Sequence, residues 1–227
     1  MSKHLFVVGT GTDVGKTYVT GLILKKLREA GKNPAYYKAA MSGNLRDCRG
    51  RLIPGDGEEV KRISGIRQSV DEMCPYVYEA AVSPHLAARQ EGNPVDMSVV
   101  KAGFQKVADK YDYVTMEGSG GIICPLRFDE QEIYLEDAID DLGMGCVIVA
   151  HAGLGTINHA GLTAFYMKQR NIPVKGMIFN GYLPGDPMQE DNIKMCEHIT
   201  GVKVLARVKT GDDNLDMSQD LLEDMYR

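Results

Sequence analysis

Paired cysteines are missing from this sequence. Cys48, Cys74, Cys124, Cys146 and Cys196 are odd in number, and none stands in a Cys-x-x-Cys pair. That argues against a disulfide framework and against a structural zinc site. It fits reduced thiols in a cytosolic protein. The five histidines are scattered, with no His-Glu-x-x-His, and each reads as structural rather than as a ligand. No apolar run approaches the roughly 18 residues of a transmembrane helix. Lysine and arginine form no block and the net charge is −5, which disfavours a general nucleic-acid binder. There is no internal repeat, low-complexity stretch or linker. What remains is ordinary globular usage over 227 residues, 44% hydrophobic and 25% charged. A chain of this length buries roughly 70% of its unfolded surface, so it needs no covalent staples. The strand-like run His4 to Val8 leads straight into glycines, unlike a signal peptide.

Apolar runs alternate with helical stretches. The expected strands are Leu5–Val8, Ala35–Lys38, Tyr113–Glu117, Cys146–Ala150, Val174–Asn180 and Val202–Val208. Several are continuously apolar, as strands covered on both faces are. The expected helices are Lys16–Ala30, Glu58–Ser64, Pro84–Gln90, Met97–Lys110, Leu135–Asp141, Ile157–Arg170, Gln189–Thr200 and Leu215–Tyr226. Val19, Leu22, Ile23 and Leu27 share one face of the first helix, and Gly31 follows as its stop signal. Ser83-Pro84 and Asp96 read as helix starts. The alternation predicts an α/β fold: a three-layer, P-loop NTPase-like domain with a mainly parallel central sheet, spanning 1–227 as one domain. The segment Ala39–Gly57, rich in Gly, Arg and Asp, reads as a long functional loop.

The strongest motif is Gly9-Thr10-Gly11-Thr12-Asp13-Val14-Gly15-Lys16-Thr17, between the first strand and the first helix. A phosphate-binding loop belongs there. Gly15 lets successive N–H groups turn inward toward phosphate oxygens, and the helix start adds its positive end. Lys16 brings a mobile charge to the β- and γ-phosphates, and the Thr17 hydroxyl is placed for Mg²⁺. Five residues separate Gly9 from Gly15 instead of the strict four, so the loop is of a longer subtype. The overlapping Gly9-x-Gly11 could open a dinucleotide fingerprint, but the second strand ends in Lys38 rather than an acid that would hold a ribose.

Nucleotide chemistry also calls for a carboxylate near Mg²⁺ at the end of another central strand. Glu117 ends the strand Tyr113–Glu117, and Gly118, Gly120 and Gly121 follow around Ser119, letting backbone approach a ligand. Lys38 ends the second strand, where ligands of parallel sheets gather; it is either a substrate-facing cation or a solvated strand-end lysine. Asp56, between Gly55 and Gly57, is either a metal ligand or a turn residue. Gly153-Leu154-Gly155-Thr156-Ile157-Asn158-His159 makes either an anion cradle at a helix start or a simple βα turn. Asn180 either reads a base edge or merely ends its strand.

Together these pieces resemble the dethiobiotin synthetase family of ATP-dependent ligases. The long loop is similar to that family's Gly-Thr-x-Thr-Glu/Asp-Val-Gly-Lys-Thr. Tyr37-Lys38-Ala39-Ala40-Met41-Ser42-Gly43 is similar to Tyr-Lys-Pro-x-x-Ser-Gly, and Glu117-Gly118-Ser119-Gly120-Gly121 to Glu-Gly-Ala-Gly-Gly. Ser83-Pro84-His85, Gly155 to His159, and Asn180 fall in the family's order. The resemblance spans about residues 4 to 180. It implies carboxylation and ring closure of diaminopelargonic acid with CO2, using Mg²⁺ and ATP and releasing ADP and phosphate. It implies Thr17, Asp56 and Glu117 as metal ligands. Thr12, Lys38 and Ser42 would hold the carbamate, with Lys38, Lys16 and Thr12 catalytic. Asp13, Val14, Gly15, Lys16, Thr17 and Tyr18 would hold the phosphates, and Asn180 would meet adenine. Gly118, Ser119, Gly120, Gly121 and Asn158 would line the diamine and its tail. A cytoplasmic homodimer is implied too. The chain departs from the pattern at Ala39, where the family has Pro, at Val208-Lys209, where it has Ile-Pro, and near Asp191-Asn192-Ile193, which lacks the partner-helix aromatic.

Three other readings compete. One is an amide synthase or related P-loop ligase, and one is a pure binding module. The third is a nucleotide-switched ATPase of the partitioning or septum-site type. Those carry a signature lysine early in the loop, whereas positions 10 to 14 here are Thr, Gly, Thr, Asp and Val. They often end in a basic membrane helix, whereas this tail holds Asp216, Asp220, Glu223 and Asp224.

Overall fold

The computed structural model describes residues 2–226. In chain order the elements are β1 (Lys3–Gly9), α1 (Lys16–Glu29), β2 (Pro34–Lys38), β3 (Ala40–Met41), α2 (Gly55–Ser64), β4 (Tyr76–Val77), α3 (Pro84–Gln90), α4 (Met97–Ala108), β5 (Tyr113–Gly121), β6 (Pro125–Phe128), β7 (Glu132–Tyr134), α5 (Leu135–Leu142), β8 (Cys146–His151), α6 (Thr156–Gln169), β9 (Val174–Asn180), α7 (Pro187–Thr200), β10 (Val204–Val208) and α8 (Gln219–Asp224). Six strands form one parallel sheet in the order β10-β9-β8-β1-β5-β2. All six expected strands are in it. Two small additions escape the sequence pattern: a β3–β4 pair and an antiparallel β6–β7 hairpin.

β1 shows why the strands lack alternation. Leu5 and Val7 pack with Val19, Leu22, Ile23 and Leu27 of α1, while Phe6 and Val8 pack with Phe104 of α4 and Ile139 of α5. Both faces are covered, so every position of the strand interior is apolar. The sheet thus divides two apolar layers, each roofed by helices.

Several boundaries move. β5 does not end at Glu117 but continues to Gly121, because its glycine-rich end pairs with Gly9 beside the phosphate loop. The segment Ala39–Gly57 is not wholly a loop: β3 opens it, Arg46 bridges Leu52, and α2 starts at Gly55. Asp56 therefore stands in a first helical turn, where a carboxylate is favoured by the helix dipole. β10 starts at Val204, and α8 starts only at Gln219; Leu215 and Met217 are buried without being helical. Asp96 caps α4 by accepting from Ser98 N, whereas Ser83 makes no side-chain cap and the helix after it begins on Pro84.

Candidate functional site

Gly15 shows what the phosphate loop demands of the chain. Its φ is +92°, and a Cβ there would lie 2.0 Å from Asn180 Nδ2. Only glycine takes this left-handed turn without clash or strain. α1 then starts at Lys16, so its free N–H groups face the loop's concave side. Lys16 Nζ donates to Gly11 O at 2.8 Å, folding the side chain back over the loop. Burial, and then the neighbouring Lys38, pull the Lys16 ammonium below the usual lysine value.

β2 and β5 bring the charged groups together. Their register sets Lys38 beside Glu117. Lys38 Nζ donates to Asp56 Oδ2 at 2.6 Å and to Glu117 Oε1 at 3.0 Å. Thr17 Oγ1 donates to Glu117 Oε1 at 2.9 Å and reaches toward Asp56 Oδ1 at 3.5 Å. The side chains of Lys38 and Glu117 are buried, at 7% and 1% exposure, while that of Asp56 is open to the cleft at 38%. Burial lowers the Lys38 pKa, but Glu117 and Asp56 outweigh it, and the ammonium stays above its ordinary value. Burial raises the Asp56 carboxyl and Lys38 opposes it, leaving the acid below its ordinary value.

These groups line one cleft of about 790 Å³. Of the residues singled out from the sequence, Thr12, Asp13, Gly15, Lys16, Thr17, Lys38, Ser42, Asp56, Glu117, Ser119 and Gly120 border it. Others stand back. The Gly118 Cα faces Leu135 and Phe6 in the core, and Gly121 meets the backbone of Gly9 and Gly11. The Tyr18 hydroxyl donates to the Asp212 carbonyl. Asn180 Nδ2 donates to Val14 O at 3.1 Å, so it braces the loop from outside. Asn158 is exposed on the first turn of α6. Near it the Thr156 hydroxyl is buried without a hydrogen-bond partner among the described residues.

Three features were not found from sequence. Cys124 borders the cleft beside Gly120, its thiol raised by burial. Ala81 and Val82 also line the cleft, next to Ser83 and Pro84. Tyr36 donates to Glu117 Oε2 at 3.2 Å. Strand periodicity could have found the last, since Tyr36 precedes Lys38 by two and shares its face.

A Mg²⁺ ion fits the donor set. Thr17, Asp56 and Glu117 offer only oxygen, and one or two carboxylates beside substrate phosphates suit this hard cation. Among the described residues no group of three or more His, Cys, Asp or Glu could hold a metal by itself. No helix among them is long and apolar enough to cross a membrane.

Comparison with known proteins bears on the same region. A family model described as an AAA domain matches residues 3–215. The chain is 48% identical over 217 residues to an ATP-dependent dethiobiotin synthetase of Brachyspira hyodysenteriae, covering 95% of this chain and 96% of that one. It is 44% identical to one of Clostridium perfringens, covering 94% and 93%. Among solved structures, the fold is similar to a MinC:MinD cell division complex of Aquifex aeolicus, with TM-score 0.56 at 13% identity over 92% of this chain and 81% of that one. A ParA-family ATPase of Chlorobium tepidum gives TM-score 0.55 at 13% identity over 100% and 89%. At such identities the structural likeness speaks for the fold alone.

Proposed function

We propose, for a chain that belongs to the ATP-dependent dethiobiotin synthetase family, the family's reaction: carboxylation and ring closure of diaminopelargonic acid with CO2, driven by ATP. One observation carries this reading. A phosphate loop and a second, buried lysine border the same cleft, Lys38 standing beside two carboxylates and a threonine hydroxyl. A simple nucleotide hydrolase needs no such second cation on a neighbouring strand. A ligase that must bring a carbamate anion up to a triphosphate does.

The steps follow from charge. One amine of the substrate adds to CO2 and loses a proton, giving a carbamate. A carbamate oxygen attacks the γ-phosphorus, and ADP leaves. The second amine then attacks the carbonyl carbon of the mixed anhydride. Phosphate leaves, a proton is lost, and the cyclic urea is complete. Thr12, Ser42 and Lys38 orient the carbamate. Lys16 and Lys38 offset the repulsion between the two anions and the charge that spreads over the moving phosphoryl group. Asp13 to Tyr18 wrap the phosphates, and Asn180 stands toward the base. Thr17, Asp56 and Glu117 would hold Mg²⁺, which when bound neutralises charge on the β- and γ-phosphates. Ser119 and Gly120 border the diamine, with Gly118 and Gly121 shaping the wall behind.

The exposed Asn158 and the unpartnered Thr156 hydroxyl stand at the amino end of α6, an end that favours an anionic tail. Leu154, Leu162 and Phe165 project around this helix at 90%, 62% and 48% exposure. Apolar groups so placed support a homodimer, with a second copy covering α6. The acidic net charge and the free cysteines support a cytoplasmic protein that takes small molecules and neither nucleic acid nor membrane. The chain acts as one P-loop domain.

The test is ADP release with the diamine and bicarbonate supplied or withheld. Release that requires both supports the ligase. Release indifferent to the diamine overturns it, and points to a switch ATPase or another P-loop ligase.

A further inference from the structure

The two oxygens of Glu117 have separate partners. Oε1 accepts from Thr17 and from Lys38, on the cleft side. Oε2 accepts from the Tyr36 hydroxyl at 3.2 Å, on the buried side. Tyr36 has no solvent exposure, so its hydroxyl spends its hydrogen bond on that oxygen rather than on water.

Tyr36 is itself held. β2 is an edge strand, so its outer backbone groups lack a strand partner. Gln68, also fully buried, supplies one: its Oε1 accepts from Tyr36 N at 2.7 Å, and its Nε2 donates to Tyr36 O at 2.9 Å. A side-chain amide thus takes the place of a neighbouring peptide and fixes this residue's height along the sheet. The phenol is aimed at Glu117 from a rigid base.

The geometry points to Tyr36 as a positioning residue of the cation site: with Gln68 behind it, it occupies Glu117 Oε2, so that Oε1 alone faces the cleft. This rests on the proposed reading of Glu117 as a metal ligand. A ring that merely filled the core would need no hydroxyl, because phenylalanine has the same shape. Carboxylates that bind metals depend on such outer hydrogen bonds for their orientation, typically at about 10- to 100-fold in affinity.

The experiment measures Mn²⁺ binding, by electron paramagnetic resonance, to the full chain with ADP present. It compares wild type, Tyr36→Phe and Glu117→Gln. Tyr36→Phe is expected to weaken Mn²⁺ by about tenfold or more. Its ADP affinity in the presence of a chelator should be unchanged, since the phosphate loop is untouched. Gln68→Met, which keeps the buried volume but loses the clamp, should weaken Mn²⁺ in the same direction. If Glu117→Gln weakens Mn²⁺ but Tyr36→Phe and Gln68→Met stay within twofold of wild type, the positioning role is overturned and the ligand reading stands. A Tyr36→Phe protein that melts earlier with unchanged Mn²⁺ affinity overturns it equally. If Glu117→Gln leaves Mn²⁺ affinity intact, the ligand reading itself fails.

Discussion

Lys38 Nζ stands 2.6 Å from Asp56 Oδ2 and 3.0 Å from Glu117 Oε1, one buried cation answering two acids. The two acids share no other lysine or arginine within ion-pair distance among the described residues. Replacing Lys38 by Gln therefore removes charge from the cleft without emptying it. Turnover with the diamine should fall about a hundredfold or more, the usual cost of losing a preorganised charge on a migrating group. ATP affinity without the diamine should change far less, because the loop amides, Lys16 and Thr17 remain. Lys38→Arg should not restore the rate, since a planar fork does not fit where a compact ammonium bonds two carboxylates. Steady-state ADP release and calorimetry separate these effects. Turnover of Lys38→Gln within threefold of wild type would leave Lys38 as a charge-balancing residue only.

Lys16→Ala tests the phosphate loop. Among the described residues the Lys16 ammonium hydrogen-bonds only the Gly11 carbonyl, so the fold should survive its loss. Mg·ATP binding should weaken strongly and turnover should vanish. Gly15→Ala should fail differently: its left-handed φ costs an alanine about 1–2 kcal/mol, and its methyl would strike Asn180. That variant should melt earlier as well as bind ATP poorly. Unchanged ATP affinity in Lys16→Ala would remove the assignment of the loop.

How much of this was legible follows from range. The phosphate loop is local: nine consecutive residues carry its turn, its charge and its hydroxyl, and all could be read. Lys38 was legible as a strand-end residue because parallel strands bury both faces and leave chemistry at their ends; Glu117 was picked out on the same ground, although its strand runs on to Gly121. Their contact with Asp56 was not, since it depends on α2 beginning at Gly55 inside a stretch that carries no helical pattern before Glu58. The continuation of β5 through Gly118, Ser119, Gly120 and Gly121 was hidden because glycine has no strand preference; pairing with Gly9 holds it. β3 and β4, at two residues each, are too short to show a period. Tyr36 and Gln68 look like any core tyrosine and loop glutamine until β2 is known to be an edge.

The α6 surface predicts assembly. Leu162 and Phe165 stand exposed on this helix, with Leu154 just before it. Sedimentation should give twice the 25.0 kDa chain mass at assay concentration. Phe165→Glu should shift the protein toward monomer and reduce diamine turnover more than ATP affinity, because in the proposed dimer Asn158 shares the end that the second copy covers. A fully active monomer contradicts the dimer.

Acid stability should centre on Glu223. Its carboxylate accepts from Gln219 Nε2 and Tyr113 OH, each at 3.0 Å, and pairs with Lys32 at 3.0 Å. The hydrogen bonds from Gln219, Lys32 and Tyr113, in that order, bring its pKa from 4.5 to about 2. A depressed pKa stabilises the fold above the unfolded value and ceases to do so as pH falls through the folded one. The contribution is thus complete above about 4.5 and declines toward about 2. Urea unfolding of wild type and Glu223→Gln should differ at pH 7 and converge as the pH is lowered to 3. A constant gap over that range would mean that the charge of Glu223 contributes nothing.

Asn180 braces the phosphate loop, and the proposed reading gives it a second job at the base; one pair of ligands can separate the two. Its Nδ2 donates to Val14 O and packs against Gly15, which braces the phosphate loop. Its place at the end of β9 also suits contact with the base. Its backbone is fixed independently, since β9 pairs with β8 and Asn180 O accepts from Ala152 N at 2.9 Å. Asn180→Ala should therefore leave the strand intact and remove only side-chain interactions. Loss of the brace should weaken inorganic tripolyphosphate, which has no base, by about fivefold, the worth of one ordinary hydrogen bond near 1 kcal/mol. ATP should weaken by more, because the base contact is lost as well. Calorimetry with both ligands on both proteins decides between the jobs. Unchanged tripolyphosphate affinity removes the bracing role, and equal losses for the two ligands remove the base contact, because the only shared part is the phosphate chain.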